Sequence, residues 1–439
     1  MTYDVSRRDL SDLWHTLGNA DAVHGLYYLL MHGLFRLAGD ADPLLVMRVP
    51  SVLAMSAAAA GVALLGRRLA GPRAGLLGGL AFAVLPLIQR FAQEGRSYAA
   101  VCALVVWATH ALLDAVAADE CRTRRLWCRY AVLMLVACVL HEFAVFALAG
   151  HALAVPRAAR RRWATAAGAV VVGLAPLAVL SRQQQAQVHW LSFSPRPYAA
   201  TLGVCLFGVG CAELVRRWAP RDAEAPDGLV RVALPLLVAP TGLLMLLTPI
   251  KPLFVDRYVL YSWAGLALLL GALLDRALRG GRTHRAVAAV TVGAALASLI
   301  PSAVHLRTPE SRVDNGTAAA QAIRTAGRPG DAVVYLPSRR RAWTLPSPRA
   351  VEGLRDLAQD RGPAASHTLY GTEVPAHVIR ARMSEEPRIV LVTDPSGGTG
   401  DTIDRETVKH LVIRDRFRKC RSWHARGARV TLYARPGRC

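Results

Sequence analysis

The sequence predicts an α-helical polytopic membrane protein that carries a small C-terminal α/β domain. Three observations lead there. Apolar runs follow one another from Pro50 to Leu306, many of them near the roughly 20 residues that cross a bilayer. Arginine-rich clusters separate those runs at 66–73, 122–129, 157–162, 216–221 and 276–285, the pattern of cytoplasmic loops. Beyond Arg307 the chain turns to short β-branched runs between turn residues, as a small mixed domain requires. The boundaries that follow are 1–49 for a first outer loop, 50–306 for the membrane part and 307–439 for a soluble part.

Residues 1–49 open with a polar stretch and then AVHGLYYLLMHGLFRLA at 22–38. That segment is at the short limit for a span. It reads either as a first crossing or as a helix lying in the interface. His24, Tyr27, Tyr28 and His32 suit an interface better than a bilayer centre.

The membrane part reads as spans at 50–66, 74–92, 97–117, 130–141, 142–155, 163–181, 198–215, 229–248, 260–275 and 285–304. The alternation of sides holds only if the chain turns at His141–Glu142. One bent helix there would invert everything downstream. With the turn in place, one face collects residues 1–49, the turn QEGRSYA (93–99), the loop SRQQQAQVHW (181–190), the loop PIKPLFVDRY (249–258) and the region after Arg307. That face is the chemically richer one, and ionisable groups at membrane depth mark functional sites.

In the C-terminal part, DAVVYLP (331–337), RIVLVTD (388–394) and ARVTLYA (428–434) read as strands. Asn315–Ala326 reads as a helix stopped at Gly327. GGTGD at 397–401 lacks the lysine of a phosphate loop and reads as a plain turn. Asn315-Gly-Thr is a glycosylation sequon by pattern only.

The net charge of +22, from 53 basic and 31 acidic residues, first suggests nucleic acid. The arginines flank apolar spans and form no single stripe, so no nucleic-acid partner is expected. The eight cysteines show no metal-binding spacing. Cys102, Cys138, Cys205 and Cys211 sit in apolar runs as packing residues. Cys420 and Cys439 are a candidate pair if their domain faces an oxidising compartment.

Five segments in order carry a resemblance: DAVHGLYYLLMH (21–32), RVPSVLAM (48–55), GRRLAGPRAGLLGGL (66–80), FAQEGRSYA (91–99) and FVDRYVLYSWAGLALLLGALL (254–274). Together they resemble the GT-C glycosyltransferases. More narrowly they are similar to the family 39-like bacterial relatives of protein O-mannosyltransferases and of lipid A aminoarabinose transferase. The resemblance implies transfer of a sugar, mannose or another hexose, from a polyprenyl-phosphate carrier to a hydroxyl on a glycan, glycolipid or protein acceptor. It implies a cell-membrane protein whose C-terminal domain is extracytoplasmic. It calls for no cofactor beyond the lipid-linked donor and leaves a divalent metal open.

Such chemistry needs a carboxylate to take the acceptor's proton, cations on the departing phosphate and apolar grooves for the tail. The family carries an acidic pair at the end of its first span. The resemblance places that span and pair upstream of Met1, with Thr2 just after them. Either translation starts upstream, or the chain is a shortened, inactive relative.

Within the chain, Asp21 and Glu94 are the candidate catalytic carboxylates. For Asp21 the plainer role is an N-cap of the following helix; for Glu94 it is an ion pair with Arg96. Gly95 allows the tight turn and Ser97 can cap the next helix. Arg257, Lys251, Arg96 and Tyr258 are the candidate phosphate ligands, Arg257 for its planar fork. Their plainer role is interfacial anchoring. His24 and Trp190 are candidates for contact with acceptor or sugar, with Gln187 and His189 beside Trp190. His141 and Glu142 lack a third metal ligand and read as packing or acceptor-side residues. Two rival classes remain: a lipid-linked-sugar transporter or flippase, which should show internal repeats, and a non-catalytic GT-C-like subunit.

Overall fold

The computed structural model describes residues 1–184, 195–218, 225–250, 254–312, 314–395 and 403–439, the side chains of 120–121 and 225–227 excepted. Two compact units result: residues 21–303, and residues 1–20 together with 304–439.

The chain begins in the second of these units with α1 (Thr2–Ser6) and α2 (Leu10–Asn19). The helical unit then runs through α3 (Gly25–Ala38), α4 (Pro43–Ala70), α5 (Pro72–Val84), α6 (Pro86–Phe91), α7 (Tyr98–Ala117) and α8 (Glu120–Leu140). It continues with α9 (Ala147–Ala154), α10 (Arg160–Gln183), α11 (Pro195–Arg217), α12 (Ala225–Leu247), α13 (Trp263–Arg279) and α14 (Arg282–His305). The apolar stretches read from the sequence fall on helical segments, but 74–92 is divided at the extended Leu85 between α5 and α6, and 142–155 opens with a 3₁₀ turn before α9. Among the described residues seven helices are long and apolar enough to cross a membrane, and two shorter apolar ones accompany them. The protein is a multi-pass membrane protein.

The helix α3 has 14 residues, about 21 Å at 1.5 Å per residue. That is short of the roughly 30 Å hydrocarbon core, and it is not among the helices long enough to cross. The break expected at His141 is present. His141 is extended (φ −164°, ψ 115°) between α8 and a 3₁₀ turn at Glu142–Phe146.

Glycine sets how closely the helices approach. A Cβ on Gly75 of α5 would lie 2.3 Å from the Ala63 carbonyl oxygen of α4. One on Gly271 of α13 would lie 2.4 Å from the Ala74 carbonyl oxygen. The three helices therefore meet backbone to backbone. This close fit suits a bilayer, where lipid tails are as apolar as leucine and packing drives association.

The arginine clusters meet acids and carbonyls. Arg68 and Arg129 both pair with Asp114. Arg217 pairs with Glu213, Arg279 with Asp275, and Arg276 donates to the Val215 carbonyl.

The other unit contains α15 (Gly316–Ala326), β1 (Ala332–Leu336), β2 (Arg355–Asp356), α16 (Ala376–Glu385), β3 (Arg388–Thr393), α17 (Asp404–Arg416), β4 (Arg418–Ala425) and β5 (Ala428–Ala434). The sheet order is β2-β1-β3-β5-β4. β1 is parallel to β2 and β3, while β5 is antiparallel to β3 and β4. Side chains alternate across it. Val333, Tyr335, Val390 and Val392 pack with Ile323 of α15. Ala332, Val334, Ile389 and Leu391 pack with Ile379 of α16 and Val412 of α17.

The three expected strands are present. β4, RKCRSWHA, was not anticipated, because an edge strand half open to solvent keeps polar residues. Asn315 caps α15 by accepting from the Ala318 amide at 3.0 Å, so the sequon asparagine is engaged as a cap. Cys420 and Cys439 form a disulfide. The GGTGD turn lies outside the described residues.

Candidate functional site

Polar side chains from separate parts of the helical unit converge on one place. The chain enters it at Asp21, whose backbone is left-handed at φ 59°. Asp and Asn tolerate that region better than most residues. Asp21 stands before the 3₁₀ turn Ala22–His24, yet its side chain makes no cap hydrogen bond. The N-cap role therefore does not describe its side chain. The Tyr28 hydroxyl donates to Asp21 Oδ2, and His24 Nε2 lies 4.0 Å from Oδ1. The Ala22 amide donates to Gln184 Oε1 at 3.0 Å, which draws the end of α10 to the same place.

The QEGRSYA turn sends its charges in different directions. Arg96 Nη1 donates to the Tyr28 hydroxyl at 3.3 Å. Glu94 instead lies 3.6 Å from Arg90 Nε, and its carbonyl accepts from the Ser51 hydroxyl at 2.6 Å. The expected Glu94–Arg96 pair is replaced by a pair one helical turn back, at i,i−4. Gly95 has no left-handed backbone. Its small size matters because a Cβ there would stand 3.0 Å from Met47 Cβ. Ser97 occupies the N-cap position of α7 without a cap hydrogen bond.

The third contribution is the turn Asp256–Ser262. Arg257 Nε donates to the Tyr98 hydroxyl at 3.1 Å. Its guanidinium lies 5.6 Å from the Tyr98 ring centre and 5.7 Å from that of Tyr258. Rings complete the wall. His141 lies 5.8 Å from His24, 5.2 Å from Tyr98 and 4.8 Å from Tyr258, and Phe143 stacks on Tyr258 at 4.6 Å.

Tyr98 opens α7 and Asp114 lies near its end, sixteen residues and about 24 Å further along. The converging residues and the Arg68–Asp114–Arg129 cluster thus occupy opposite ends of the helix. This is the separation that the arginine clusters and the turn at His141 imply.

Burial shapes the electrostatics. His24 is buried, and its pKa is pushed down to about 4. Desolvation is the main cause, Asp21 opposes it, and Arg96 and Arg257 add to it. The imidazole is therefore neutral at neutral pH, and its Nδ1 is buried without a hydrogen-bond partner. Burial, reinforced by Asp21, pushes the Tyr28 phenol well above its usual range, so Tyr28 keeps its proton to donate.

Of the residues named from sequence, Asp21, His24, Arg96, Arg257 and Tyr258 are brought together. Glu94 is held on Arg90. Lys251 and Trp190, with Gln187 and His189, lie outside the described residues. His141, read from sequence as a packing or acceptor-side residue, packs among His24, Tyr98 and Tyr258. Sequence reasoning missed the parts played by Tyr28 and Tyr98, each of which holds an arginine, and by the ring of Phe143. One signal was available: Tyr28 follows His24 by four residues and so shares its helix face. Among the described residues no group of three or more His, Cys, Asp or Glu side chains is placed to hold a metal ion.

An apolar cleft of about 340 Å³ also lies in this unit. It is lined by Leu34, Leu37 and Ala38 of α3 and by Leu45, Val46, Val49 and Pro50 of α4.

No protein-family model matches the chain, and no curated protein does. Solved structures do match. The apo structure of ArnT from Cupriavidus metallidurans is 13% identical with a TM-score of 0.56, covering 93% of this chain and 87% of that one. The structure of ArnT from Cupriavidus metallidurans bound to undecaprenyl phosphate is 13% identical with a TM-score of 0.55, covering 92% of this chain and 87% of that one. The likeness shows the fold: a GT-C-type helical membrane protein with a small C-terminal α/β domain.

Proposed function

We propose that this protein is an integral membrane glycosyltransferase that moves a sugar from a polyprenyl-phosphate carrier to a hydroxyl acceptor. The carrying observation is that two arginines, Arg96 and Arg257, and the carboxylate of Asp21 gather around His24 at one end of the helical unit, with Tyr28 hydrogen-bonded to both Asp21 and Arg96. Likeness in fold to a protein whose structure holds undecaprenyl phosphate adds support.

In this reading Arg257 and Arg96 hold the carrier phosphate and stabilise the charge that grows on it as the glycosidic bond breaks. Tyr258 lends a further hydrogen bond. Asp21 takes the acceptor's proton as its oxygen attacks the anomeric carbon. Neutral His24 offers its unpartnered Nδ1 to a sugar or acceptor hydroxyl. The isoprenoid tail lies in the cleft between α3 and α4, where every lining residue is apolar.

The reaction needs no bound nucleophile, since one in-line displacement inverts the anomeric centre. We favour Asp21 over Glu94 as the base because Glu94 is engaged by Arg90. The donor sugar in this proposal is a hexose. The acceptor is an envelope glycan, glycolipid or protein outside the cytoplasm, with the protein seated in the cell membrane.

The test is transfer in proteoliposomes from undecaprenyl-phosphate-linked radiolabelled hexoses to native membrane acceptors. Label should move with the natural chain and fail to move with Asp21→Asn. Absence of transfer from every hexose donor, with flipping of the same lipids across the vesicle, would favour the transporter reading.

A further inference from the structure

We infer that Tyr28 is a positioning residue that joins the carboxylate to the phosphate clamp. Its one hydroxyl donates to Asp21 and accepts from Arg96. The inference rests on the function proposed above.

The side chain is 0% exposed, so water does not compete for its hydroxyl. The hydroxyl holds one proton and has lone pairs to accept with. The Arg96 bond at 3.3 Å uses a lone pair, and the proton goes to Asp21 Oδ2. The order is therefore fixed: Arg96 donates to Tyr28, and Tyr28 donates to Asp21. Donation onto the phenol oxygen polarises its O–H, and chained hydrogen bonds strengthen one another in this way. The carboxylate is oriented by a group that itself senses what Arg96 holds.

Among the described residues, His24 and Tyr258 act electrostatically on Asp21, and His24, Tyr27, Tyr98 and His141 act on Arg96, while Arg257 faces His24 and Glu142 faces Tyr258. The Tyr28 hydroxyl touches both Asp21 and Arg96, donating to the first and accepting from the second. The second arginine has its own tyrosine, since Tyr98 accepts from Arg257 Nε. The site thus contains two phenols with different duties. Tyr98 fixes the fork that meets the phosphate. Tyr28 fixes the base and reports phosphate occupancy to it.

The difference is testable because phenylalanine keeps each ring and removes only the hydroxyl. With transfer assayed in proteoliposomes, Tyr28→Phe should lower kcat about tenfold, a modest part of what a positioned base supplies. Its donor KM should stay within about threefold. Tyr98→Phe should do the reverse, raising donor KM several-fold with kcat little changed. Equal losses in kcat and KM for Tyr28→Phe, or no loss, overturn the inference.

A second readout needs no turnover. Affinity for undecaprenyl phosphate is measured in phosphatidylcholine nanodiscs for the natural chain, Tyr28→Phe, Asp21→Asn and the double variant. A bridge makes the two substitutions non-additive by at least about threefold, as contacting residues are. Additive effects in proteins with unchanged melting temperatures overturn it. If Tyr28→Phe does not fold, Arg96→Gln replaces it in the same cycle, with the same two outcomes. A natural chain that binds the lipid without transferring sugar refutes the proposed function, while the binding cycle still judges the bridge.

Discussion

Replacing Arg257 tests the phosphate clamp most directly. Its Nε is committed to Tyr98 at 3.1 Å, and its guanidinium lies over the Tyr98 and Tyr258 rings at 5.6 and 5.7 Å. That leaves the two terminal amino groups to meet a phosphate. Each charge-assisted hydrogen bond contributes about 1.5–3 kcal/mol. Loss of two therefore costs about 3–6 kcal/mol at the ceiling, and roughly half that where Arg96 takes over part of the load.

Arg257→Ala should lower kcat/KM for the lipid-linked donor by about 10²–10³-fold, with much of the loss in donor affinity. Arg257→Lys keeps a charge and loses both the planar fork and the bond to Tyr98. It should recover no more than about a tenth of the natural rate. The assays are transfer from undecaprenyl-phosphate-linked hexose and direct binding of undecaprenyl phosphate in nanodiscs. A folded Arg257→Ala protein that binds the lipid within threefold of the natural chain would refute the clamp.

Three further outcomes are expected. The depressed pKa of His24 makes stability depend on acid: between pH 6.5 and about 4 the unfolded chain takes up a proton that the folded one refuses. Stability should fall as pH drops through that window, by at most roughly 3 kcal/mol, and thermal melts of His24→Gln should lose that part of the slope. Lys409 is 0% exposed and donates to Glu373 at 2.7 and 2.9 Å, to Glu406 at 3.2 Å and to the Tyr335 carbonyl at 3.0 Å. Lys409→Met leaves buried carboxylates without that cation and should cost about 3–5 kcal/mol, read as faster hydrogen exchange of the β1 and β3 amides, with partial recovery on adding Glu373→Gln. Gly271→Val puts a side chain where Cβ alone meets the Ala74 carbonyl oxygen at 2.4 Å, and should lower the melting temperature in detergent by about 5 °C or more, an overpacking cost of roughly 1–3 kcal/mol.

Much of the helical unit was legible in the sequence because a bilayer imposes simple rules. Spans must be apolar and near a fixed length, and arginines mark one side. The β-branched runs of the C-terminal domain were legible for a similar reason: β1 and β3 are buried on both faces. The edge strand β4 was not, since half its surface meets water and its composition is that of a loop. The grouping of residues 1–20 with the C-terminal part left no mark in composition either. It rests on contacts such as Asp12 Oδ1 to His367 Nδ1 at 3.7 Å, between residues far apart in the chain.

The candidate site divides in the same way. Asp21, Arg96 and Arg257 were visible as charges at the rims of apolar runs, because a charge near a membrane stands out against its neighbours. Their partners were invisible, because choosing between Glu94 and Tyr28 for Arg96 depends on distances that no local pattern contains. Arg90 claims Glu94 from one helical turn away, and Tyr28 reaches Arg96 across 68 positions. Sequence alone determined which residues could carry charge to the membrane rim, since hydropathy and spacing are local properties. Tertiary structure alone decided which charges meet, because helices brought together by glycine contacts set those distances, and a hydrogen bond is lost within an ångström of its proper length.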